Sequence, residues 1–256
     1  MTLGSRMMMN ASLVPVGARV ADIGCDHGKL SVYLIEKKIA THVIASDVAE
    51  GPLKRAIKTV KHAGLNDSIE LRLADGADGI MRDDLGRPEV DVIVMAGIGG
   101  MLALQMVEKN IDIYRDIDCF IIQAQSNLDV LRLKMEDFGF TMIDEDMVYE
   151  DGKFYTAIKY RYSSENMTHA SYITYEEDRE TAHEKLSEAD ALYGPLLISK
   201  SHPVLHEYLL KDRKGLEDIL NGLSDKDDVS VRTETRREDI VRRIELADVL
   251  LDREWR

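Results

Sequence analysis

The chain has only two cysteines in 256 residues, Cys25 and Cys119. Two thiols cannot build a disulfide framework. With seven scattered histidines they also fall short of the closely spaced Cys and His set that a structural zinc takes. No metal is expected. No apolar run approaches the roughly 18 residues of a membrane helix. Residues 1–11 lack the basic segment and apolar stretch of a secretion signal. A cytoplasmic protein, away from membranes, is therefore expected. Positive charge is also scarce: 33 Lys and Arg face 47 Asp and Glu, a net charge of -14. Proteins that coat nucleic acid without selectivity are normally basic. Any nucleic-acid role here must use local patches, against the field of the whole molecule. Apolar material is not lacking. At 45% hydrophobic residues the chain can build a proper core, which excludes disordered and fibrous classes.

Charge density divides the chain. Residues 1–162 hold 19 Lys/Arg and 25 Asp/Glu, whereas the 94 residues of 163–256 hold 14 and 22. Strand signals stop at the same place, around the polar Ser163-Ser164-Glu165-Asn166. Two domains are expected, 1–162 and 163–256.

The first part reads as repeated βα units. Short runs at Arg19–Ile23, His42–Asp47, Ile69–Ala74, Val90–Ala96 and Cys119–Ala124 predict five strands; the third alternates, with Ile69, Leu71 and Leu73 on one face, and the fourth is almost wholly apolar as buried parallel strands are. Gly51-Pro52 opens a helix that should end near Gly64, and Asn127 offers a side-chain cap for a helix closing before Gly139. Phe140–Tyr149 and Phe154–Tyr162 flank Asp151-Gly152, a hairpin turn pair. The expectation is an α/β fold, a doubly wound parallel sheet with one antiparallel edge hairpin.

The second part reads as helices. Leu209, Leu216 and Leu223, with Leu220, form one apolar seam, and Ile240, Ile244, Ala247 and Leu251 form another. An antiparallel helical pair is expected, its loop at Asn221-Gly222 and Ser224–Asp228, with a helix over 175–191 beside it. The pair could project as a coiled coil or pack on the main domain.

Ligands of open parallel sheets bind beyond the strand C-termini, where strand order reverses. Four such ends carry signals. The first is Asp22-Ile23-Gly24-Cys25-Asp26-His27-Gly28. Asp22 precedes the first glycine and Asp26 replaces the middle glycine of a dinucleotide fingerprint. A carboxylate there repels pyrophosphate, but an acid can hold the ammonium group of a methionine moiety. The second is Asp47, suited to ribose hydroxyls or to capping the next helix. The third is Asp75-Gly76, where the acid can accept from an adenine amino group or simply form a turn. The fourth is Ala96-Gly97-Ile98-Gly99-Gly100, where backbone must approach something closely. Adenosine plus a cationic amino-acid head points to S-adenosyl-L-methionine as cofactor, held by Asp22, Gly24, Asp26, His27, Gly28, Asp47, Asp75, Gly76, Ala96 and Gly97.

These residues, with Leu3-Gly4-Ser5-Arg6, Gln125-Ser126-Asn127, Glu150–Tyr155 and Tyr193-Gly194-Pro195, resemble the bacterial tRNA (adenine(22)-N1)-methyltransferase family over nearly the whole chain. Two positions depart from the family pattern: glycine stands at Gly4 and Ser126 follows Gln125, where that family usually has serine and often proline. The resemblance implies a Rossmann-like methyltransferase domain with a C-terminal helical, coiled-coil domain. It implies methyl transfer to N1 of an adenosine in the D-arm of tRNA. N1 has an in-plane lone pair and needs no prior deprotonation, and it lies on the Watson–Crick edge, so the target must be unpaired or flipped. Asp26 is the expected catalytic acid near the reacting atoms, with the donor's amino group as its other role. Arg6, Lys29, Gly99, Gly100, Gln125 and Asn127 are the expected substrate contacts, and Asn127 could instead cap its helix. His27 is expected to orient the loop. Cations on Lys54, Arg55, Lys58, Lys61 and on Arg232, Arg236, Arg237, Arg242 and Arg243 could grip phosphates or form solvated helix faces. The expected partner is tRNA, and the chain is expected to be a monomer. Two other classes stay open: methyl transfer to a small molecule or protein, and a nicotinamide-dependent oxidoreductase.

Overall fold

The computed structural model describes residues 3–163, 187–224, 231–253 and 255. By contacts the chain divides into two compact units, Met1–Lys185 and Leu186–Arg256. The boundary expected at 162–163 borders residues that lie outside those described.

In the first unit a seven-stranded sheet has the order β3-β2-β1-β4-β5-β7-β6. β1 (Ala18–Ile23), β2 (Ala40–Asp47), β3 (Ile69–Leu73), β4 (Val92–Ile98) and β5 (Cys119–Ala124) run parallel. β6 (Phe140–Glu150) and β7 (Lys153–Tyr162) form the antiparallel edge, with β7 next to β5. Asp151 and Gly152 both have positive φ, 48° and 80°, as a two-residue type I′ turn requires. Strand order reverses between β1 and β4, so a crevice opens beyond their carboxyl ends.

Both faces of the central strands β4 and β5 are buried, which is why they read as nearly continuous apolar runs, whereas the outer β3 alternates. Alternation still sorts the side chains. Val20, Val43, Val92, Val94 and Ile121 pack on one face with Leu30 and Leu34 of α2 (Lys29–Glu36) and Ala56 and Val60 of α3 (Glu50–Ala63). Met9 and Leu13 join them from the end of α1 (Ser5–Ser12) and the residue after it. On the other face Ile93, Met95, Phe120 and Ile122 meet α4 (Gly100–Lys109), α5 (Ile111–Asp116) and α6 (Leu128–Asp137). Phe120 packs edge-on against Tyr114 and Phe140, each 5.0 Å away between ring centres, a favoured aromatic geometry.

Several expectations need correction. β4 spans Val92–Ile98 rather than 90–96. Its register shifts between Ala96 and Ile98, because Gly97 at φ 79° forms a bulge that carries the strand two residues further. Asn127 sits at the N-cap of α6 in the left-handed region, φ 54°, and its side chain makes no cap bond. α1 has no counterpart among the expected elements, yet it packs against the edge hairpin.

In the second unit Ser187 caps α7 (Glu188–Tyr193), accepting from the Asp190 amide at 3.1 Å. Positions 175–186 of the expected helix lie outside the described residues. α8 (Pro195–Ser199) follows, and then α9 (Pro203–Ser224) packs along α10 (Val231–Leu251). Leu205, Leu209, Leu216, Ile240, Ala247 and Leu250 are buried, while Leu223 and Ile244 are half-buried. Asn221 and Gly222 lie inside α9 rather than in a loop. A helical glycine on an exposed face costs only ~1 kcal/mol, and the packed seam outweighs it. Among the described residues no helix is long and apolar enough to cross a membrane.

Candidate active site

The turn after β1 is built from the strand end upward. Asp22 is buried, 3% exposed, and accepts a hydrogen bond of 2.5 Å from the Ser31 hydroxyl on α2. Burial raises its carboxyl to about 6, and the Ser31 bond opposes that only in part. The amides of Gly24 and Cys25 both donate to the Ser46 carbonyl of β2, at 2.8 and 2.9 Å. Gly24, Asp26 and Gly28 all have positive φ (73°, 47° and 66°), so the chain doubles back within five residues. Gly28 has a second reason to be glycine: a Cβ there would stand 3.2 Å from the Ala56 Cβ of α3. The Cys25 thiol is buried beneath the turn, and desolvation pushes it well above its ordinary range.

Asp47 closes this turn from β2. Its Oδ2 accepts the Asp26 amide at 3.3 Å and its Oδ1 accepts the Ala49 amide at 2.9 Å. It is not the cap of α3; Ala49 holds that position without a side-chain bond. Val48 beside it is an apolar residue 69% exposed just past the end of β2. Sequence reasoning missed it, although an apolar residue directly after a strand-end acid is a usable signal.

The Asp26 carboxylate is exposed and holds Arg55 of α3 at 2.9 Å, with His27 3.6 Å away. Asp75 lies two residues beyond β3 and pairs with Lys109 of α4 at 2.8 Å, which also holds Asp78. Gly76, φ 61°, is buried against Met106. Lys29 is exposed in the first turn of α2.

The facing wall comes from β4 and β5. The Gly97 amide donates to the buried Gln123 Oε1 at 3.1 Å, which holds the bulge in place. Gln123 was also missed, though a lone polar residue in an apolar strand marks it. The Gly100 amide donates to the Ser126 carbonyl at 3.0 Å. A Cβ on Gly100 would stand 2.5 Å from that oxygen and 2.8 Å from the Asn127 carbonyl, so only glycine lets the two loops touch. The Gln125 backbone N–H donates to the Ile98 carbonyl at 2.8 Å. Gln125 Nε2 and Arg6 Nη1 both lie near Gly97.

The expected residues thus fall into groups. Asp22, Gly24, Asp26, Gly28 and Asp47 form one bonded turn, and Arg6, Ala96, Gly97, Gly99, Gly100, Gln125 and Asn127 gather around the ends of β4 and β5. Asp75 and Gly76 stand against α4. Of the candidate phosphate-gripping cations, Lys54 pairs with Glu50, Arg55 with Asp26, Arg242 with Glu188 and Arg243 with Asp212. The side chain of Arg232 lies outside the described residues. Among the described residues no group of His, Cys, Asp and Glu could hold a metal ion.

The chain is similar to known proteins over nearly its whole length. A tRNA (adenine(22)-N(1))-methyltransferase of Bacillus subtilis is 27% identical over 98% of this chain and 97% of its own length. A Streptococcus pneumoniae protein, Sp1610, described as a candidate tRNA (m1A22) methyltransferase, is 28% identical and superposes with a TM-score of 0.80 over 98% of this chain and all of its own. The same protein, crystallised with S-adenosyl-L-methionine, superposes with a TM-score of 0.77 over the same shares of both chains. The family model described as a methyltransferase domain matches residues 3–158, most of the chain, and by that match the protein belongs to the methyltransferase domain family.

Proposed function

We propose that this protein transfers a methyl group from S-adenosyl-L-methionine to N1 of an adenosine at position 22, in the D-arm of tRNA. The observation that carries the reading is the carboxylate pair Asp22 and Asp47, bracketing an amide-rich turn whose acids would repel a pyrophosphate. The RNA target is supported by the Bacillus subtilis relative, which aligns over almost its whole length.

When bound, the cofactor supplies a sulfonium methyl open to in-line attack. Asp47 would accept from ribose hydroxyls, Val48 would cover one face of the adenine, and Asp75 would accept from its amino group. The buried Asp22 supports a cationic head group by its charge. Asp26 would serve either the donor's amine or the reacting base through Oδ2, while Oδ1 keeps Arg55. Gly97 leaves room for a flat base, and the Gln125 side-chain amide can hydrogen-bond its edge. The attacking lone pair needs no general base, so positioning and exclusion of water carry the rate.

The test is to incubate the protein with the cofactor and a tRNA transcript, then map 1-methyladenosine. Methylation at adenosine 22, lost when that base is guanosine, is the expected result. Label elsewhere in the tRNA would overturn the assigned position. Label only in small molecules or protein from a tRNA-free extract would overturn the RNA reading.

A further inference from the structure

At the ends of β4 and β5, Arg6 has no acidic partner among the described residues. Arg6 of α1 is half-buried, with its guanidinium over the Tyr155 ring at 5.1 Å from the centroid. Its Nη1 stands 3.8 Å from the point where a Cβ on Gly97 would be, and Gln125 Nε2 stands 3.7 Å from the same point. Groups from α1, the bulge of β4 and the loop after β5 therefore converge on one spot. Among the described residues no carboxylate lies within ion-pair range of Arg6. Arg115 of α5 is held in the same way, over Tyr162 and donating to the Phe138 carbonyl, but Arg6 alone of the two stands beside Gly97. Arg19, Arg55, Arg72, Arg82 and Arg87, the other arginines up to the end of β4, each hold a carboxylate. A nearby acid, Glu150, lies against Gly4 instead, where a Cβ would collide with its carboxylate.

We propose that Arg6 is the oxyanion clamp of this site, gripping an oxyanion that a reactant brings in. Its source is the carboxylate of the donor's methionine portion or a phosphate of the target nucleotide. The inference rests on the reading of the site as one for methyl transfer. Two physical points support it. The Tyr155 ring holds the guanidinium in place, and the missing Cβ of Gly97 leaves space beside Nη1 for an oxyanion. The sulfonium donor and the N1-methylated base are both cations. A bare guanidinium beside them would repel both, and an oxyanion on Arg6 cancels that repulsion.

The experiment compares wild type, Arg6→Gln and Arg6→Lys in three measurements: donor affinity by calorimetry without RNA, KM and kcat for tRNA at saturating donor, and melting temperature. Loss of a charge-assisted pair predicts a change of about tenfold or more in one affinity. Weakened donor binding with an unchanged tRNA KM identifies the carboxylate. Unchanged donor binding with a raised tRNA KM and a shallower salt dependence identifies a phosphate. In either case Arg6→Lys restores part of the loss. Donor affinity and tRNA KM both within about twofold of wild type overturn the proposal, as does a drop confined to kcat and melting temperature. If the wild type binds donor but methylates no tRNA, the RNA reading fails by itself. The donor titration then still decides the clamp, and an unchanged affinity rejects it.

Discussion

Replacing Asp22 with Asn tests the electrostatics of the site most directly. The carboxyl is buried under the turn and raised from 3.8 to about 6. The folded protein therefore binds a proton more tightly than the unfolded chain. For such a group, stability is greatest below the unfolded value and falls as pH rises through the folded one. A rise of that size corresponds to ~3 kcal/mol lost once Asp22 is fully ionised, roughly half of it between pH 5 and pH 8. Asn keeps the acceptor for Ser31 and has no charge to desolvate. The variant is expected to be more stable than wild type at about pH 8 by up to ~3 kcal/mol, with a gap that narrows by ~1.5 kcal/mol on acidification to about pH 5. Urea unfolding of both proteins at the two pH values measures this. Over the same substitution, affinity for the cationic donor should fall. A variant that is less stable at pH 8, or a gap that does not change with pH, would refute the claim that Asp22 is a desolvated carboxylate held for its charge.

Gly100→Ala places a Cβ against the Ser126 and Asn127 carbonyls, backbone atoms that cannot swing aside. A loss of ~1–3 kcal/mol in thermal melts, with impaired methyl transfer, is expected. Arg132 and Glu145 form a buried ion pair at 2.9 Å between α6 and β6. Arg132→Met should cost ~3–5 kcal/mol in urea unfolding by taking the cation away from a buried carboxylate, and adding Glu145→Leu should recover much of it. Cys25 should resist iodoacetamide in the native protein at about pH 8 and react in urea, because burial raises its thiol. Lys58 and Lys61 of α3 are exposed and unpaired among the described residues. If they meet tRNA phosphates, replacing both with Ala should lower the salt dependence of binding by up to ~2 logarithmic units per decade.

The central strands were readable because each is a mostly apolar run, as parallel strands buried on both faces must be, and the outer β3 because it alternates. β5 and the Asp151-Gly152 turn match their sequence bounds, since a hairpin with two positive-φ residues leaves little choice of residue type. The acids at the strand ends were legible for the same reason: charge at the end of a buried strand needs an explanation. What the acids do was not legible. Asp47 reads alike as a helix cap or a ribose acceptor, and only the folded turn shows it taking the Asp26 and Ala49 amides. Asn127 reads as a cap, and only its left-handed backbone shows otherwise. Gln123 and Tyr155 gain meaning from neighbours distant in sequence, and α1 from packing against the edge hairpin. Local periodicity is a property of neighbouring residues, so the sequence alone determined the elements, the sheet's class and the acids at its rim. Which charge meets which is a matter of distance across the fold. Only the tertiary structure spent Asp26 on Arg55, buried Asp22 and, among the described residues, left Arg6 beside Gly97 with no acid to hold.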